Sequence, residues 1–374
     1  MSSIALSLLL LVFSCTTNKK DSIVVEKTLF GKLPDGREVY QFTLTNRSGA
    51  KARIISYGAA VTLLTMPDRS GRYDDVVLGY DSLQGYLDDK SFLGITAGRY
   101  GNRIGKGRFT LDDKNYQLTL NDGEHHLHGG KMGFGKVLWD AKIIEGVSVP
   151  AVELTYISKD GEEGYPGTVS MTVVYTLTDS NELRIEYTGT TDRITILNPT
   201  HHSYFNLSGS FTNTILDHLL MIEADFITPV NKELITNGKL DSVANSPMDF
   251  RIPRPIGSRI DEPYEQLLFG KGYDHNWVLR NYSNSIRRAA ELYEPKSGRV
   301  MTIYTDQPGL QFYSGNFLDG SIIGKHGIAY KKRTGLCLEA QCFPDSPNKP
   351  EFPSVTLFPG KVYHQTTVYR FSTR

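Results

Sequence analysis

The stretch TVSMTVVYTL, residues 168–177, sets Val169, Met171, Val173, Tyr175 and Leu177 on one side of an extended chain. Thr168, Ser170, Thr172 and Thr176 fall mainly on the other side. A period of two is the signature of a strand with one buried face. ELRIEYTG (182–189) repeats the pattern with Leu183, Ile185 and Tyr187 after the polar turn TDSN. Two alternating runs joined by such a turn predict a hairpin. Residues 37–58 and 107–121 follow the same logic. No twelve-residue window carries convincing helical periodicity, and only PYEQLLFG (263–270) predicts a turn or two of helix. No fixed repeat of propeller or solenoid type stands out. No long Pro/Gly/Ser linker divides residues 23–374. The expectation is an all-β chain, one large antiparallel β-sandwich domain over residues 23–374.

Composition enters through what it excludes. Lys plus Arg and Asp plus Glu stand at 41 each, so no basic surplus points to nucleic acid. A neutral small molecule fits that balance. Residues 1–22 read differently from the rest. The apolar run Ile4–Phe13 is too short for a membrane-spanning helix, which takes about 20 residues. Followed by Ser14 and Cys15, it reads as a signal peptide ending in a lipoprotein-type cleavage box, with Cys15 as the lipidated residue and TTNKKDS as a tether. Cys337 and Cys342 are five apart, form no CxxC pair, and read as buried free thiols.

Against the strand background four polar segments stand out. GRYGNRIGKGRF (98–109) lacks both a Walker lysine and a βαβ setting, so it is no phosphate loop. Its Asn102 and Arg103 offer an amide and a guanidinium fork to a hydroxylated ligand. Arg99, Lys106 and Arg108 read equally well as solvated charges. GEHHLHGG (123–130) carries His126 and His128 on one strand parity, where both could face an ion. Neither a carboxylate nor a third histidine follows nearby, and a metal there would need the distant His202. In NPTHHSYFNL (198–207), Thr200, His202 and Tyr204 share one parity, and His201, Ser203 and Phe205 the other. Parity alone does not choose which histidine faces a site. In GLCLEAQCFPDSPN (335–348), Glu339 is a lone carboxylate in an apolar strand. Burying it charged is costly, so it needs partners or a raised pKa. Asp274 in GYDHNW and Gln311 in PGLQFYSGN are weaker candidates from the residues alone.

GRYGNRI, LHGG, NPTHHSYFNL, GYDHNW, PGLQFYSGN and GLCLEAQCFPDSPN, in that order, resemble the aldose 1-epimerase (galactose mutarotase) family from about residue 25 onward. The resemblance implies a mutarotase-like supersandwich fold and interconversion of the α and β anomers of a free aldose. It implies Glu339 as general base and His202, directly before Ser-Tyr, as general acid. Asn102, Arg103, His128, Tyr204, Asp274 and Gln311 become the substrate-binding positions, and His201 a neighbour on the opposite face. It further implies no metal or organic cofactor, with a small aldose as the partner; a monomer is the expected assembly. An ion pair of ionised Glu339 and protonated His202 is expected across the sugar. A sugar-binding protein without catalysis, a hexose-phosphate epimerase and a metal-dependent sandwich enzyme are the competing readings. Many relatives are cytoplasmic. With Cys15 lipidated, the expectation for this chain is instead the periplasm or an outer membrane, with the cytoplasm as the alternative.

Overall fold

The computed structural model describes residues 25–374. Cys15 and the rest of the expected signal segment lie outside the described residues. Every pairing between named strands is antiparallel, as the alternation demands. The run read as a strand at 168–177 is Val169–Leu177, and all five side chains assigned to its apolar face are fully buried. It forms a hairpin with Glu182–Thr191, Val173 opposite Tyr187. These two belong to a nine-stranded sheet whose middle is the last strand, Tyr363–Thr373. That strand pairs with Glu182–Thr191 on one side and Arg299–Thr305 on the other. A five-stranded sheet, from Val25–Lys32 to Tyr73–Asp75, covers part of it.

Among the described residues, α-helix is confined to Leu83–Asp88 and Glu265–Gly270. The second falls inside the predicted segment. The first was not predicted, because six residues with only Leu83 and Tyr86 buried are too few for a helical period to register.

A second five-stranded sheet carries the chemistry. It runs Asp241–Ser242, Ala224–Thr228, Asp274–Leu279, Gly309–Tyr313, Cys337–Gln341. Trp277, Leu310, Phe312 and Leu338 point from it into the main core, together with Tyr369 of the C-terminal strand. The two sheets are tied where Tyr369 Oη donates to Leu338 O at 2.9 Å and Gln365 Nε2 to Ala340 O at 3.0 Å. The pleat therefore sends the intervening residues to the other face. There Asp274 lies opposite Tyr313, Gln311 opposite Glu339, and Tyr313 opposite Cys337. One core-facing side of a sheet thus fixes a polar row on its reverse.

Candidate active site

The polar row floors a cleft of about 440 Å³, whose walls come mainly from loops, with Arg103, Leu127 and Phe269 added from two short strands and a helix. Asn102, Arg103, His128, His202, Tyr204, Asp274 and Glu339 all line it. Gln311 does not: it sits behind Asp274, its Nε2 donating to Asp274 Oδ1 at 2.6 Å. That bond orients the Asp274 carboxylate, while Gln311 Oε1 has no partner of its own.

Segment 198–205 is a strand only at Thr200–His201, paired with Thr96–Ala97. The backbone then leaves the ladder, yet the alternation persists through Tyr204. His202 and Tyr204 reach the cleft. His201 packs between the rings of Tyr175 and Tyr369, its Nε2 2.7 Å from Ser203 Oγ. Burial holds its pKa down at about 3, so it stays a neutral core residue. The choice between the two histidines is settled by what lies on each side of the chain.

The glycine-rich segments meet at the opposite wall. Gly129 has φ +87°, and a Cβ there would come within 1.6 Å of Gly98 O. Only glycine permits that approach. It presses the 98–103 loop against the LHGG turn, where His128 N donates to Asn102 O at 3.1 Å. In return Asn102 N donates to His128 Nδ1 at 3.2 Å. His128 therefore carries its proton on Nε2, facing the cleft. His126, expected on the same side, is turned away, with Nδ1 2.7 Å from Thr119 O and Nε2 2.6 Å from Tyr165 Oη. The strand ends at Leu127 and His128 adopts φ +50°, so parity fails there.

Arg99, read as a candidate solvated charge, is a buried structural cation. Its guanidinium donates to Ser158 Oγ and to the carbonyls of Ser158, Lys159, Pro166 and Gly167 at 2.8–3.0 Å. Arg103 is the cation nearest the carboxylates of a cleft that Lys90, Lys232 and Lys271 also line. It pairs with Asp122 at 2.7 Å and stands 4.0 Å from Asp274.

Glu339 is almost fully buried, and its Oε2 has no partner. Its Oε1 lies 3.7 Å from His202 Nε2. Burial, with Asp274 second, pushes the Glu339 carboxyl well above its ordinary range, and Arg103 counters in part. Burial likewise pulls His202 down to about 4, against a smaller upward pull from its own backbone. The expected charge stabilisation within the pair is thus outweighed by desolvation. Tyr204 contributes a ring wall, since its hydroxyl is spent on Ser91 O at 2.9 Å. Phe92 was not foreseen. Its ring centroid is 4.7 Å from that of His128 and 5.9 Å from that of His202.

His128, His202 and Glu339 offer ligand atoms within 4.8 Å of one another. The donor set does not suit a cation. A metal-bound imidazole donates from its other nitrogen, whereas His128 Nδ1 accepts a backbone N–H. Without His128, two ligands remain where a catalytic zinc keeps three.

The sequence profile described as Aldose 1-epimerase matches residues 40–370. The chain belongs to the aldose 1-epimerase family. It is 43% identical to galactose mutarotase of Bos taurus over 350 residues, 94% of this chain and 99% of that one. It is 36% identical to the aldose 1-epimerase of Escherichia coli K12, over 90% of this chain and 96% of that one. Among solved structures it superposes on galactose 1-epimerase from Lactobacillus acidophilus with a TM-score of 0.83 at 28% identity, covering 94% and 99% of the two chains. As a member of that family it has the mutarotase-like supersandwich read from its alternation and motifs.

Proposed function

We propose that this chain interconverts the α and β anomers of free aldoses such as glucose and galactose, with Glu339 as base and His202 as acid. The observation that carries the roles is their adjacency, Glu339 Oε1 and His202 Nε2 standing 3.7 Å apart on the buried floor of the cleft. The anomeric hydroxyl and the ring oxygen hang from one carbon, so the two groups serving them must be neighbours. Glu339 takes the hydroxyl proton while His202 gives a proton to the ring oxygen. The ring opens to an aldehyde, and rotation about the C1–C2 bond exposes its other face. Closure returns both protons.

The desolvation described above has a use in this scheme. For ordinary side chains the shared proton favours imidazole over carboxylate, since Glu starts at 4.5 and His at 6.5. Raising Glu339 and lowering His202 reverses that bias in the buried cleft. The neutral pair, which matches the open form, is favoured there, so the ionised pair that opens the ring depends on the sugar and on Arg103, which draws Glu339 back down. Arg103, the His128 Nε2–H and Asp274 hold the hydroxyls, supplying orientation.

Polarimetry of freshly dissolved α-glucose and α-galactose tests the reading. Decay of rotation is expected to accelerate with the wild type, and His202→Ala to lose about 10²- to 10⁴-fold of that acceleration. Wild-type protein that follows the spontaneous rate on both sugars overturns it.

Export remains a proposal from Ile4–Phe13 and Cys15, as does a monomeric assembly. Membrane fractionation of wild type against Cys15→Ala tests the anchor, and equal soluble fractions sink it.

A further inference from the structure

Cys337 lies on the same strand face as Glu339, two residues before it, fully buried beneath the cleft. Its Sγ stands 3.6 Å from His202 Nδ1. His202 is thus flanked at both ring nitrogens by one strand, with the thiol at Nδ1 and Glu339 Oε1 at Nε2. The other groups around the ring are His128, Tyr204 and Phe92, with Asp274 and Arg103 acting on Glu339 beyond. None of these side chains is hydrogen-bonded to Nδ1; beside the thiol, the ring feels only the smaller pull of its own main chain.

We propose that Cys337 is a positioning residue for the acid: its sulfur accepts the Nδ1 proton of His202, so that only Nε2 exchanges protons with the sugar and Glu339. The inference rests on the mutarotase reading and deepens it. An imidazolium that gives up its Nε2 proton is left as the Nδ1–H tautomer. A free histidine side chain instead favours Nε2–H, the form with its lone pair turned away from the reaction. Some group must hold the proton at Nδ1. Buried acceptors for that task are often carboxylates, which also stabilise the imidazolium. A neutral sulfur is a weak acceptor, so it fixes the tautomer without a charge that would weaken the acid. Cys337 keeps its own proton, since burial, Glu339 and Asp274 push the thiol well above its usual range.

Nitrogen-15 NMR of histidine-labelled full-length protein, without sugar, reads the tautomer; a His202→Gln spectrum assigns the resonance. Wild type is expected to show a protonated Nδ1 and an unprotonated Nε2 on His202 at neutral pH. Cys337→Ala is expected to shift the ring toward Nε2–H and to lower kcat about fivefold to tenfold, the worth of one modest hydrogen bond, at unchanged KM. Cys337→Ser, which keeps an acceptor, retains the tautomer and most of kcat. A proton on Nε2 in the wild type overturns the proposal. So does an Ala variant that keeps tautomer and kcat, or equal losses in Ser and Ala, which would mark simple packing. Because the tautomer is read without substrate, failure of mutarotation and failure of this contact are separate results.

Discussion

Replacing Arg99 by Met keeps the length of the side chain and removes its fork. In the native fold the guanidinium is a donor to two hydroxyls and four backbone carbonyls, and the residue is only 2% exposed. Those carbonyls lie on the turn after the strand Ala151–Ser158 and on the approach to Val169–Leu177. The Met side chain leaves them without their donor. An unsatisfied buried acceptor costs about 1–3 kcal/mol. Lys159 is exposed, so water can serve its carbonyl in part. A total loss of about 3–5 kcal/mol is expected, in the range for removing one partner of a buried charged network. That is a large share of the roughly 5–15 kcal/mol of a typical domain. Urea unfolding followed by tryptophan fluorescence measures it, as a lower midpoint with an unchanged slope. Arg99 also anchors the loop that carries Asn102 and Arg103, so KM for galactose should rise under conditions where the variant remains folded. A loss below about 1 kcal/mol would refute the assignment of Arg99 as a structural keystone.

Gly129→Ala forces a Cβ into Gly98 O and strains a positive φ, so it should give little soluble protein, or folded protein with kcat/KM much reduced; wild-type yield and activity would contradict the packing described. Arg103→Met removes the cation that lowers Glu339, so the acid limb of kcat/KM should move to higher pH, read polarimetrically; no shift, or a downward one, would contradict it. His201, His218 and His275 are held at about 3, 4 and 3 by burial, below the ordinary 6.5. The unfolded chain therefore binds more protons, and stability present above pH 6.5 should drain away as pH falls toward 4. Urea midpoints flat over that window would count against buried neutral histidines.

The strands were legible because each side chain reports its own side of the chain. Val169 to Leu177 needed nothing from elsewhere to be read. Glu339 was legible for the related reason that a carboxylate in an apolar strand is a local anomaly. What escaped depends on partners distant in sequence. Arg99 looks like any surface arginine until residues 158–167 fold over it. The bond from Gln311 to Asp274 joins residues on two paired strands and cannot be read from either segment alone. Phe92 has no local mark at all, and reaches the site because its loop closes over His128 and His202. The His126–His128 parity failed because one positive φ reversed the side chain. The N-terminal reading lies outside the described residues and rests on sequence alone.

Glu339 as the base of an aldose mutarotation is tested by the polarimetric decay of α-galactose with Glu339→Gln, which keeps the shape of the side chain and removes its proton affinity. A folded variant that still binds galactose is expected, with the catalysed rate lowered about 10²- to 10⁴-fold. A variant that retains wild-type kcat would contradict it.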